Sequence, residues 1–190
     1  MKRRHFALSL CVAPAVLALP GCSDKPGAPA AGPLSAQQAY ELSAQGHGFG
    51  VGPLMAANTV YVFFDTTCPH CATLWENSKP LLIRLRMVWM PLALLRASSG
   101  PQGATILSAA DPVAAMTENE RSVQANQGGI GVSPALGDEA LARVKANTEL
   151  FRRLGADSVP LIVYRHAGSG AYGMRAGSVG SAELAQLVGI

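Results

Sequence analysis

Residues 58–65, Asn-Thr-Val-Tyr-Val-Phe-Phe-Asp, form a run of β-branched and aromatic side chains without polar alternation, and Cys68-Pro69-His70-Cys71 begins three residues later. Such a run fits a strand buried on both faces, and that requires a sheet covered on both sides. Pro69 suits the first position of a helix, where its missing N–H has no intrahelical partner to lose. The pattern places Cys68 at a strand-to-helix junction, with Cys71 one turn further on.

The rest of the chain supplies the cover. Ser35 with Gln38 three residues later is a capping-box pattern and predicts a short helix over 35–45. The glycine-rich stretch 46–53 reads as a loop, with His47 solvated in it. Pro80 interrupts the helix that follows Cys71. Residues 86–94 read as a second apolar strand and 100–110 as a short helix. Asp111 caps a helix opened by Pro112, and 128–137 reads as a loop. Residues 138–155 form an amphipathic helix with acids first, bases late and Gly155 at its end. A strand over 159–165, a turn, a paired strand over 172–177 and a terminal helix capped by Ser181 complete the chain. The first two strands, joined through a helix, should be parallel, and the last two antiparallel. The expected class is α/β: a mixed central sheet with flanking helices and a helical insertion.

Charge narrows the function. The formal +3 is carried by Lys2, Arg3 and Arg4, and the remaining 12 basic and 12 acidic side chains cancel, so no basic patch suggests nucleic-acid binding. Residues 1–22 read as an export signal. They have a positive start, an apolar stretch too short and Pro-interrupted to span a bilayer, and Leu-Pro-Gly ahead of Cys22. That ending resembles a bacterial lipoprotein signal, which makes Cys22 the expected lipidation site; Cys11 is an ordinary apolar residue of the leader. Residues 23–34, rich in Pro, Gly and Ala, read as a flexible tether. Residues 35–57 are a short helix and glycine-rich loop, and 58–190 the main domain.

The mature soluble part, from near Ser35, holds only Cys68 and Cys71, and export implies an oxidising compartment. A disulfide across two residues closes too small a loop to stabilise a fold much, so the pair points to chemistry. A thiol attacks as thiolate, and the unpaired N–H groups and dipole of a helix N-terminus favour that ion at Cys68. Cys68 is the candidate attacking thiol and Cys71 the resolving one. Pro69 fixes the helix start, and a protonated His70 stabilises the thiolate, so both are candidate tuning residues. Three other readings stand beside this. A zinc site lacks a second ligand pair, since His47 and His166 are alone. Haem attachment needs His where Ala72 stands. The last is a pair of inert buried cysteines. No metal or organic cofactor is expected. Pro160 opens a late strand, and with Val159 it is a candidate element for binding an extended client backbone, with a cis Val159–Pro160 bond expected; a trans proline that merely starts a strand is the alternative.

The stretch YVFFDTTCPHCATLW, followed by LGADSVPLIVY over 154–164, resembles the thioredoxin-fold catalytic domain of the bacterial periplasmic DsbC/DsbG disulfide isomerases, closer to DsbG, over roughly residues 58–190. The resemblance implies a thioredoxin fold, a redox centre at Cys68 and Cys71, and Pro160 facing it. Asp65 also matches the pattern and is read as a capping or loop carboxylate ahead of a proton relay. The Pro69-His70 dipeptide and Val159 are more like the oxidising DsbA branch. About 25 residues between tether and first strand are too few for the isomerases' N-terminal dimerisation domain, so a monomer on a lipid anchor is expected. The implied function is an exported protein thiol–disulfide oxidoreductase of isomerase or reductase type, in the periplasm. Its partners would be exported proteins with thiols or disulfides, and a membrane redox protein that resets the pair. A DsbA-like oxidase, or a non-enzymatic scaffold that binds clients or a metal, is the alternative.

Overall fold

The structure, a computed structural model, describes residues 33–56 and 58–190. The export signal, Cys11, Cys22 and most of the tether lie outside the described residues. Leu34, assigned to the tether, is half-buried and packs on the core.

The unalternating run becomes β2 (Thr59–Asp65), the middle strand of five. The others are β1 (Phe49–Val51), β3 (Arg86–Leu92), β4 (Leu161–Arg165) and β5 (Tyr172–Ala176), in spatial order β1-β3-β2-β4-β5. β2 pairs parallel with β3 and antiparallel with β4, while β1–β3 and β4–β5 are antiparallel, so the expected mixed sheet is borne out. The two-residue side-chain period then splits the apolar run between two cores. Val60, Val62 and Phe64 join Met87, Trp89 and Ile162 on one face. Phe63 joins Met90, Leu161 and Val163 on the other.

Among the described residues six helices cover these faces: α1 (Ala36–Ser43), α2 (Pro69–Ser78), α3 (Ser99–Ser108), α4 (Pro112–Gln124), α5 (Asp138–Arg153) and α6 (Ser181–Val188). α2, α4 and α6 bury Leu74 and Trp75, Met116, and Leu184 against the Val62 face. α1 and α5 bury Ala39 and Phe151 against the Phe63 face. The helices begin where short-range chemistry says they should. Ser35 Oγ accepts from Gln38 N (3.2 Å) and Gln38 Oε1 from Ser35 N (2.9 Å), a complete capping box on α1. Asp111 Oδ1 accepts from Val113 N and Ala114 N, both at 3.0 Å. α2 gives way to a 3₁₀ turn over Lys79–Leu81, at Pro80. Gly155 lies just past α5 at φ +71°, a left-handed position that glycine adopts without steric cost.

Three local expectations are corrected. Part of the glycine-rich loop is strand β1, on the edge beside β3; a Cβ on Gly48 would come within 2.6 Å of the Trp89 carbonyl oxygen, so glycine lets the chain lie this close. β3 stops at Leu92 because the N–H groups of Leu94 and Leu95 turn to the Asp65 carboxylate (3.1 and 2.9 Å). The residue capping α6 is Gly180. Ser181 is the first residue inside, and its hydroxyl donates to the Asn77 carbonyl (2.7 Å), stitching α6 to the end of α2.

Candidate active site

Cys68 is the N-cap of α2, with extended backbone (φ −90°, ψ 114°), and Pro69 opens the helix. Cys68 is 3% exposed and Cys71 fully buried; both thiols are free, and both residues join the core on the Val62 face. The Cys68 sulfur lies 3.7 Å from the Val159 carbonyl oxygen. The Val159–Pro160 bond is cis, and Pro160 immediately precedes β4. The fold therefore brings Cys68, Cys71, Val159 and Pro160 together. His70 is exposed on the first turn of α2, next to Cys68. His47 sits elsewhere, its backbone bridged to Asn147 on α5, and His166 lies at the β4–β5 turn.

The two sulfurs are electrostatically unequal. The Cys68 thiol is lowered to about 6, first because the Cys71 thiol donates a hydrogen bond to its sulfur. Burial opposes this; the backbone N–H groups of Cys71 and His70 and, last, the charge of His70 favour the thiolate. The order refines the sequence reading, which put the helix N-terminus and His70 first. Cys71 is pushed well above the ordinary thiol value, by burial first and then by its hydrogen bond to Cys68 and the charge there. One sulfur is poised as a nucleophile and the other holds its proton.

Asp65 closes β2 and is completely buried. Its Oδ1 accepts from Thr67 N, Thr67 Oγ1 and Ser99 Oγ (2.9, 2.8 and 2.8 Å), and its Oδ2 from Leu94 N and Leu95 N. The carboxylate ties the Cys68 loop to the start of α3 and the β3–α3 loop, the loop role read for it from the sequence. Thr66 continues the tie: its hydroxyl donates to Gln102 Oε1 (3.0 Å), whose amide donates to Gly128 and Ile130 carbonyls (2.9 Å each).

Sequence reasoning missed Glu120. It is completely buried on α4, on one face with Met116, Asn119 and Val123. Its pKa is raised to about 9, by burial first, with the negative charges of Cys68, Glu76 and Asp65 adding to the shift. The signal was the spacing 116, 120, 123, which puts Glu120 on the apolar stripe although Thr-Glu-Asn-Glu-Arg reads locally as a solvated surface. Beside the cysteines is an open cleft of about 280 Å³ lined by Thr67, Pro69, Arg96, Val123, Asn126 and Gly128.

No protein-family model matches the chain. It is 27% identical over 160 residues to the thiol:disulfide interchange protein DsbG of Pseudomonas aeruginosa, an overlap covering 81% of this chain and 60% of that protein. It is 26% identical over 133 residues to DsbG of Escherichia coli, covering 67% and 52%. The chain thus spans between half and two thirds of the length of these curated relatives. Among solved structures, the catalytic domain of Proteus mirabilis ScsC superimposes with a TM-score of 0.61 at 20% identity, covering 80% of this chain and 94% of that one. The fold is thioredoxin-like, and the likeness to DsbG read from the sequence is borne out.

Proposed function

We propose that this chain is an exported thiol–disulfide oxidoreductase that works in the periplasm through Cys68 and Cys71. The observation that carries this is the asymmetry of the pair: a thiolate-favouring Cys68 at a helix N-cap, 3% exposed, backed by a fully buried Cys71 that keeps its proton. The DsbG relatives, named as thiol:disulfide interchange proteins, support the same chemistry.

The steps follow from that asymmetry. The Cys68 thiolate attacks a client disulfide; a Cys68–client bond forms, and the client's other sulfur leaves as a thiolate that takes up a proton. Cys71 then loses its proton and attacks Cys68, forming the Cys68–Cys71 bond and freeing the second client sulfur. If a client thiol attacks the mixed disulfide first, the client is isomerised and the pair stays reduced. Val159, whose carbonyl lies against the Cys68 sulfur, and Pro160 dock the client backbone, while Pro69 and His70 tune the pair. The clients are exported proteins with thiols or disulfides. A membrane redox protein resets the pair, Cys22 carries a lipid anchor, and the protein acts as a monomer without metal or organic cofactor. The direction is isomerase or reductase.

An oxidase is the second reading, favoured by the same stabilised thiolate, because a stable reduced form makes the disulfide oxidising. Thiol trapping in cells separates them: a mostly reduced pair supports the first reading, and a mostly oxidised pair the second. Replacing Cys68 by Ser tests both. Insulin reduction and refolding should be lost; if they survive, the chain is a binding scaffold and not an enzyme. Replacing Cys22 by Ala should release the protein from the membrane fraction, and unchanged fractionation would refute the anchor.

A further inference from the structure

Glu120 is a buried ionisable group that the exchange steps leave unused. Its side chain is completely buried, and Oε2 has no hydrogen-bond partner. Oε1 accepts only from Asn119 Nδ2, at 3.2 Å. Asn119 is itself fixed to the active-site segment: Nδ2 also donates to the Thr66 carbonyl (3.0 Å), two residues before Cys68, and Oδ1 accepts from Ile130 N (2.9 Å). Glu120 takes part in none of the ion pairs among the described residues. The charged groups that bear most on it are acids: Cys68, Cys71 and Glu76 on the α2 side, and Asp65 at the end of β2; His70, also on α2, is exposed. α3 and β1, which also pack on α4, carry no titratable side chain. A carboxylate here has burial and neighbouring negative charge against it, so up to about pH 9 the carboxylic acid is the favoured form beside an ionised Cys68.

We propose that Glu120 is a proton store for the cysteine pair: it is a neutral acid while Cys68 is a thiolate, and it gives up its proton more readily once Cys68 is bound in a disulfide. The inference rests on the proposed redox role of the pair. The exchange balances. The reduced site holds the Cys68 thiolate, the Cys71 thiol and the Glu120 acid. On oxidation by a client or glutathione disulfide, the two sulfurs give up two electrons and form one S–S bond. The protons of Cys71 and Glu120 leave, and the two sulfurs of the reduced partner take up two electrons and two protons. Apart from Asp65, the buried site then carries one negative charge in either state, on Cys68 when reduced and on Glu120 when oxidised. Glu120 acts through the cysteines and is a positioning residue in the electrostatic sense.

The test is the equilibrium with glutathione, measured for the full chain and for Glu120→Gln across roughly pH 6 to 10, around the raised value of about 9. Glutamine keeps the shape and has no proton to release. The ratio of the two equilibrium constants should change with pH below that value, by up to about tenfold per pH unit, the limit for one linked proton. A ratio that is flat with pH overturns the proposal. If neither protein equilibrates with glutathione, the redox role itself has failed. Should Glu120→Gln not fold, infrared difference spectra of the unmutated protein decide: the protonated-carboxyl band of the reduced protein should weaken on oxidation near pH 8, and an unchanged band overturns the proposal.

Discussion

Two buried carboxyl groups flank the segment Thr66–Cys71, and they are built in opposite ways. Asp65 receives five hydrogen bonds from backbone and hydroxyl donors on three segments. Glu120 receives one, and its second oxygen has no partner. A buried charge surrounded by donors is held in place and holds its neighbours in place. A buried acid with almost no donors is costly to ionise, so its proton responds to nearby charge. The two sulfurs repeat the contrast, with Cys68 supplied with donors and Cys71 enclosed without a compensating charge.

The largest effect expected is from Asp65→Ala, which strands donors in the core at the base of the active-site loop. A loss of about 3–5 kcal/mol in chemical denaturation is predicted. A loss below about 1 kcal/mol would break the comparison, making Asp65 as loosely held as Glu120.

Glu120→Gln should act in the other direction. The folded reduced protein keeps this proton up to about pH 9, while the unfolded chain releases it near 4.5. The raised folded value means stability present at low pH is lost as pH rises between those two values. Glutamine escapes that loss. Its advantage over the unmutated protein should therefore grow with pH across that window, by up to about 1.4 kcal/mol per pH unit. An advantage that does not change with pH would show that Glu120 is ionised in the fold.

Cys71→Ala removes the foremost influence on Cys68, the thiol donor. Iodoacetamide alkylation of Cys68 at pH 6.5 should slow severalfold as its titration moves up. An unchanged rate would return the leading role to the helix N-terminus. His70→Ala should give the smallest effect, a slight rise of the Cys68 midpoint, because the charge of His70 ranks last among its influences. A larger shift than that of Cys71→Ala would reverse the order.

Much of this architecture was legible in the chain because local chemistry and burial agree there. The run over 58–65 announces a two-faced strand, Ser35 and Gln38 announce a cap, and Asp111-Pro112 announces a helix start. Legibility failed where a feature depends on distant parts. β1 has only Phe49 and Val51 as apolar residues between glycines, and becomes a strand because β3 offers it an edge. Ser181 looks like a cap, but its hydroxyl is taken by Asn77, which lies more than a hundred residues earlier. At the site, the CPHC spacing predicts two unequal sulfurs, and the shifts of Cys68 and Cys71 run in opposite directions. It did not give the order of the causes, since that depends on the orientation of the Cys71 thiol. Glu120 stayed hidden because its meaning comes from α2, which covers it.

The most direct test is the rate of Cys68 alkylation in the reduced protein as a function of pH. A midpoint near 6 is predicted, with Cys71 unreactive over the same range. A midpoint near 9, the value of an unperturbed thiol, would contradict the asymmetry on which the proposed chemistry depends.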